Sequence, residues 1–286
     1  MTERGHEVTV IAPSPGVTAY GKARIIRVPS FGFPRYPELR IGHSRAFVHD
    51  VLQELKPDVV HLGSPAVLGA ASLRAAQDLG IPSVAIYQTD LAGFASRYHL
   101  GIAGRSIWRY IASIHRRADL TLAPSTAAVW DLRERGVDNV VRWMRGVDLV
   151  RFNPSFRDEE LRNSLAPEGQ IIIGFVGRLA REKQIERLKD LCLLPHIKVV
   201  IVGDGPMKPK LEKELKGAIF TGFKSGVELS KLYASFDIFV HTGTDETFCQ
   251  AVQEALASGV PVVAPASGGP LDLVQHGHNG FLWTEA

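Results

Sequence analysis

Apolar residues in this chain fall in short unbroken runs rather than in strict alternation with polar ones. Eight runs read as strands: Glu7–Ala12, Val59–Leu62, Ser83–Tyr87, Leu120–Ala123, Ile171–Val176, Val199–Val202, Ile238–His241 and Val262–Ala264. They are rich in Val and Ile, as expected for strands buried on both faces of a parallel sheet. Between them, apolar residues recur at helical spacing over Ser44–Leu55, Leu68–Asp78, Ser106–Arg117, Thr126–Arg135, Lys208–Leu215 and Phe248–Ala257. Strands alternating with helices predict a parallel α/β architecture. The pattern breaks near Gly146–Pro154, and a fresh strand–helix series begins at Ile171. Two α/β domains with Rossmann-like parallel sheets are therefore expected, over residues 1–148 and 149–286.

Both ends read as interrupted. Thr2–Val10 looks like a helix end, a Gly stop and a strand, where a doubly wound domain would begin one strand earlier. After the turn at His278–Gly280 no closing helix follows. The expectation is a chain short of its first strand, of the loop after that strand, and of its last helices.

Composition changes little in this picture. Of the 286 residues 45% are hydrophobic and 22% charged, which is ordinary for a globular protein. No apolar run approaches the roughly 18 residues of a membrane span, and the N-terminus has no apolar core of a signal peptide. Cys192 and Cys249 stand far apart in apolar surroundings, which suits buried thiols in a reducing compartment. Charge is uneven. Residues 1–150 hold 18 Lys/Arg against 13 Asp/Glu, and the rest hold 15 against 17. A basic first half could attract phosphate or anionic lipid, or be a solvated surface without a partner.

The candidate chemistry gathers where strands end. Gly177-Arg178 follows one apolar run and Gly203-Asp204-Gly205 the next. Glycine at the carboxyl end of a parallel strand lets phosphate or ribose approach the backbone. Lys208 stands where a dinucleotide fingerprint needs its third glycine, so a nicotinamide oxidoreductase is disfavoured. Arg178 and Lys183 together could neutralise a departing diphosphate. Glu246 and Glu254 lie eight apart, with a helix expected to enter at about Thr247; one acid could reach a sugar hydroxyl and the other a ribose. Arg181 and Glu182 read as solvated. Ser267-Gly268-Gly269-Pro270 makes a third tight turn on the same edge. There is no Asp-x-Asp pair, and the ten His are scattered, so no metal ligand set is expected.

Thr242–Gly280 resembles the C-terminal half of glycosyltransferase family 4, which has the GT-B fold. The signature residues are Glu246, Glu254-Ala255-Leu256-Ala257-Ser258-Gly259-Val260-Pro261-Val262, and Gly268-Gly269. Gly177-Arg178-Leu179 with Glu182-Lys183, Gly203-Asp204-Gly205 and Phe220-Thr221-Gly222 follow the family pattern in order. The resemblance spans nearly the whole chain. It is strongest to the GDP-mannose-dependent α-mannosyltransferases of cell-envelope glycolipid synthesis, through Tyr87–Phe94, Leu122–Thr126 and Glu246–Gln250; sulfolipid synthases resemble it more distantly.

The resemblance implies a retaining transfer of mannose from GDP-mannose to a membrane glycolipid, without metal and without a protein nucleophile. Arg178 and Lys183 would hold the donor diphosphate, Glu246 the sugar hydroxyls and Glu254 the ribose. Gly177, Gly203, Asp204, Gly205, Gly222, Phe223, Thr247, Phe248, Cys249, Gly268 and Gly269 would complete the donor site, with the Phe220–Phe223 turn by the base. Many relatives carry His where this chain has Gln88, and Asp90 is the expected substitute. The acceptor or membrane side is expected at Arg35, Arg40 and Arg45, and at Arg97, Trp108 and Arg109, whose basic and aromatic character suits an anionic lipid surface. The expected setting is the cytoplasm, peripheral to the inner face of the plasma membrane, with no nucleic-acid partner. Two alternatives remain: a UDP-sugar donor, or a fragment that only binds nucleotide.

Overall fold

The structure is a computed structural model whose backbone is described for residues 1–33, 36–42, 44–88 and 101–284; the side chains at 33, 36–39 and 101–105 also lie outside the description. Two compact units emerge. One comprises residues 1–88, 102–123 and 131–141, the other residues 124–130 and everything from Arg142.

The second unit is built on six parallel strands in the order Ile219–Gly222, Ile197–Val202, Ile171–Val176, Ile238–Val240, Val262–Pro265, Gly280–Trp283. The chain starts in the middle, works outward to one edge, then returns to the centre and works outward the other way. That order creates a switch point between Ile171–Val176 and Ile238–Val240, which pair as Ile173 with Ile238 and Gly174 with Phe239. Ligands of open α/β sheets bind at the carboxyl ends of strands beside such a point. Apolar residues line both faces, with Ile172, Phe175, Val200, Ile201, Phe239 and Val262 almost wholly excluded from water. A Cβ at Gly174 would overlap the Phe236 ring, so the bare backbone makes the seat for that aromatic.

The first unit carries a four-stranded sheet in the order Val60–Leu62, Ser83–Ile86, Leu120–Ala123, Val140–Arg142, with its first three strands parallel. Asp119 fastens it by accepting hydrogen bonds from the Ser83 amide (2.7 Å) and hydroxyl (2.9 Å). Helices Arg45–Leu55, Val67–Asp78 and Gly101–Arg117 occupy the expected segments, the first capped by Ser44, which accepts from Phe47 N.

Several local expectations need correction. The strand read at Glu7–Ala12 runs Thr9–Pro13 and pairs in parallel with Ala23–Val28, one of four strands between Ala19 and Gly42 that the apolar pattern did not show. Short helices Glu159–Leu165 and Gly226–Ser235 were likewise unread. Between Val176 and Ile197 there is no α-helix, only 3₁₀ turns at Arg181–Lys183, Ile185–Leu188 and Leu191–Leu193, the first two separated by Gln184 in the left-handed region at φ 49°. The helix expected from about Thr247 begins at Gln250, because Cys249 takes φ 74°. Glu246, Thr247 and Phe248 are therefore loop residues.

Candidate active site

The loops at the switch point are stacked backbone on backbone. Gly177 N donates to Val202 O (3.0 Å), Gly203 N to Gly222 O (2.9 Å) and Leu179 N to Asp204 O (2.9 Å). At φ 136°, Gly203 lies over the Gly177 carbonyl with no room for a Cβ, and a Cβ at Gly205 would meet Leu179 O at 2.5 Å. Gly268 and Gly269 press in the same way on the Glu246–Phe248 backbone, with Gly269 N donating to Glu246 O (2.8 Å). Close approach of loop to loop thus explains these glycines before any ligand is considered. The result is a tight rim of backbone at the end of the sheet.

Lys183 and Glu246 meet across this rim in an ion pair. Their side chains are 24% and 16% exposed, so the pair is partly shielded from water. Thr242 Oγ1 donates to the Lys183 carbonyl at 2.5 Å and Gln184 Nε2 to Thr244 Oγ1 at 3.1 Å, tying the two loops together. Arg178 is exposed, and among the described residues it has no ion-pair partner. Of the two cations, one is thus held by the acid and the other is turned to solvent.

Behind the pair lies His241, at the end of Ile238–Val240. Its ring is 2% exposed. Burial pushes its pKa down to about 4, against the opposing pull of the Glu246 charge, so the imidazole is neutral near pH 7. Nε2 has no hydrogen-bond partner and stands 3.6 Å from Glu246 Oε1. Burial likewise raises the Cys249 thiol far above its usual range, with the Glu246 charge adding to the effect. His241, Glu246 and Cys249 each offer a ligand atom, all within 4.8 Å of one another. No such set was expected from the sequence, because the three residues are non-consecutive and only the turn at Cys249 folds the sulfur back.

Glu254 sits on the helix Gln250–Ala257 and accepts a hydrogen bond from Tyr233 Oη at 2.9 Å. Burial raises its pKa, while the Tyr233 hydrogen bond and the Arg151 charge lower it. Tyr233 is wholly buried against Phe152, Phe236 and Phe239. It had no signal in sequence, since the helix Gly226–Ser235 that carries it did not stand out in the apolar pattern either. His241 had one: a polar residue closing an apolar strand at the carboxyl edge. Phe248 and Cys249 are buried, Thr247 is half-buried, and Phe223 is 75% exposed just beyond Gly222. Asp204 is exposed; its Oδ1 caps the Gly205 amide at 2.7 Å. Glu182, expected to be solvated, is half-buried with Oε2 unpartnered.

In the first unit, Arg40 is engaged by structure: its guanidinium donates to Ser14 O (3.0 Å) and Ser30 O (3.1 Å). Arg45 pairs with Asp78 at 2.6 Å. Trp108 is half-buried, with the Arg135 guanidinium 4.1 Å over its ring and Tyr87 at 5.8 Å. Arg109 is exposed, as are Arg116 and Arg117 at the end of the same helix. Asp90, Arg35 and Arg97 lie outside the described residues. Among the described residues no helix is long and apolar enough to cross a membrane.

The fold has solved counterparts. HepE of Anabaena, in a structure with UDP, aligns with a TM-score of 0.75 at 22% identity, over 98% of this chain and 86% of that one. Sucrose-phosphate synthase of Thermosynechococcus elongatus aligns with a TM-score of 0.70 at 18% identity, over 96% of this chain and 86% of that one. Two Rossmann-like units of this kind define the GT-B fold of glycosyltransferases. Residues 1–151 match the family model described as Glycosyltransferase Family 4, and residues 156–286 that described as Glycosyl transferases group 1. The GDP-mannose-dependent alpha-mannosyltransferase of Mycolicibacterium smegmatis is 51% identical over 99% of this chain and 77% of its own length. The protein of the same name from Corynebacterium glutamicum is 47% identical, over 99% and 70%. The chain belongs to glycosyltransferase family 4. The sulfoquinovosyl transferase of Arabidopsis thaliana is 40% identical over 99% of this chain and 58% of its own length.

Proposed function

We propose that the protein transfers mannose from GDP-mannose to a glycolipid hydroxyl with retention of configuration. The observation that carries this is the 51% identity to the Mycolicibacterium smegmatis enzyme across 99% of the chain. The arrangement of Lys183, Glu246 and Arg178 at the switch point supports it. Arg178 and Lys183 serve the diphosphate, Glu246 the mannose hydroxyls and Glu254 the ribose. Among the described residues no carboxylate pair is assigned to double displacement; the acceptor oxygen attacks C1 as the bond from C1 to the phosphate oxygen breaks, and the acceptor proton passes to the departing phosphate. GDP leaves with the bonding electrons. The cations lower the barrier by meeting charge that grows on the leaving group. No metal is assigned to this step.

The membrane is the expected site of the acceptor. Exposed Arg109, Arg116 and Arg117 on one helix suit an anionic lipid surface. Arg40 and Arg45, with partners of their own, are less suited to it.

Calorimetric titration with GDP and UDP, followed by transfer assays with GDP-mannose and UDP-glucose, tests the donor. The expected result is tighter GDP binding and transfer from GDP-mannose. Tighter UDP binding would reject the mannosyl assignment in favour of a UDP-sugar donor.

A further inference from the structure

We propose that His241, Glu246 and Cys249 form a binding site for a thiophilic divalent cation, of which zinc is the type, and that the cation competes with the sugar donor. Imidazole nitrogen, thiolate sulfur and carboxylate oxygen are the ligand atoms such an ion takes. All three lie within 4.8 Å of one another. Tetrahedral ligands at about 2.0–2.3 Å from the ion stand roughly 3.3–3.8 Å apart. His241 Nε2 and Glu246 Oε1, at 3.6 Å, already have that spacing.

The independent pointer to a ligand is His241. Its Nε2 is buried, unpartnered and aimed at Glu246. A buried polar atom without a hydrogen bond costs on the order of 1–3 kcal/mol, and a metal bond would satisfy this one. Cys249 strengthens the case. It occupies the left-handed region at φ 74°, where glycine would sit without strain, and glycine would take the sulfur out of the cluster.

The position already holds one cation, the Lys183 ammonium on Glu246. A divalent ion entering here displaces that ammonium, and the Cys249 thiol proton leaves to solvent. Three protein ligands leave one coordination position open. The consequence for the donor rests on the reading under Proposed function, since it needs Lys183 and Glu246 to be donor contacts; metal binding itself does not.

Cobalt(II) reports on such a site, because thiolate coordination gives a near-ultraviolet charge-transfer band and four-coordination gives intense visible absorption. The full chain would be titrated with cobalt under a phosphine reductant, then with zinc in competition. The expected result is both signatures in the wild type and in Cys192→Ser. Cys249→Gly, which relaxes the backbone and so keeps the fold, should lose the charge-transfer band. His241→Ala should bind at least ~10-fold more weakly, since losing a ligand outweighs losing an outer-shell partner. No band in the wild type at millimolar cobalt, or a band that survives in Cys249→Gly, overturns the proposal. Added GDP-mannose separates the two readings. Mutual competition supports both, whereas cobalt bound without effect on donor affinity keeps the metal site and rejects its overlap with the donor site.

Discussion

Replacing Glu246 by Gln separates recognition of the sugar from recognition of the nucleotide. The carboxylate is 16% exposed and holds Lys183, 24% exposed. A hydrogen bond to a charged group contributes about 1.5–3 kcal/mol, so losing the one from a mannose hydroxyl should weaken GDP-mannose roughly 10–150-fold. GDP has no sugar to lose. For GDP the relevant change is at Lys183, which in the wild type must be shared with Glu246 before it can serve the diphosphate. A partly exposed ion pair is worth about 1 kcal/mol or less, so freeing the ammonium should leave GDP affinity unchanged or raise it up to ~5-fold. The ratio of GDP-mannose to GDP affinity should therefore fall by at least tenfold. Calorimetry with both ligands on wild type and Glu246→Gln measures it, with circular dichroism to show that the variant is folded. An equal loss for the two ligands would show that Glu246 acts only by placing Lys183. An unchanged ratio would remove Glu246 from the sugar site.

Three further outcomes follow from the geometry. Burial of His115 lowers its pKa to about 4 while the unfolded imidazole titrates near 6.5, so the unfolded chain binds more protons between those values; stability should be fully present above pH 6.5 and fall by about 3 kcal/mol on going to pH 4, and His115→Phe should flatten that slope in urea midpoints taken across the range. Tyr233→Phe removes a hydrogen bond that lowers the Glu254 pKa against its burial; Glu254 should then protonate at higher pH, and GDP affinity, about 3–10-fold weaker at pH 7.5 for the loss of a bond that orients the acid without touching the ligand, about 0.7–1.4 kcal/mol, should fall further on acidification than in the wild type, an outcome that parallel titrations at pH 7.5 and 5.5 would deny if both proteins followed the same curve. Gly203→Ala puts a Cβ into the Gly177 carbonyl at φ 136°; a loss on the order of 2–3 kcal/mol is expected, read as a lower melting temperature together with loss of GDP binding, and a variant of wild-type stability would refute the stacking of these loops.

What the sequence showed and what it hid divide along physical lines. Strands buried on both faces advertise themselves as apolar runs, so Ile171–Val176 and Val262–Ala264 were legible, as were helices with one apolar stripe. The strands between Ala19 and Gly42 were not: Ala23–Val28 contains two Arg, and only partial burial favours it as a strand. The helix start was misplaced because one backbone angle decides it. Cys249 has no sequence feature that announces φ 74°, and on that angle depends whether Glu246 begins a helix or stands in a loop beside Lys183. Spacing singles out Glu246 and Glu254 as candidates, but not the side chains they pair with. Lys183 reaches Glu246 across 63 positions and Tyr233 reaches Glu254 across 21. Both meetings follow from strand order: the chain leaves the central strand, builds one edge and returns to the other side. That path brings the loop after Val176 and the loop after Val240 to the same end of the sheet. It also turns His241, the last residue of an apolar run, into the buried back wall of the site. The orphaned ring nitrogen there has a partner nowhere among the described residues. A group bound against it would supply the hydrogen bond or metal bond that the fold leaves unmade.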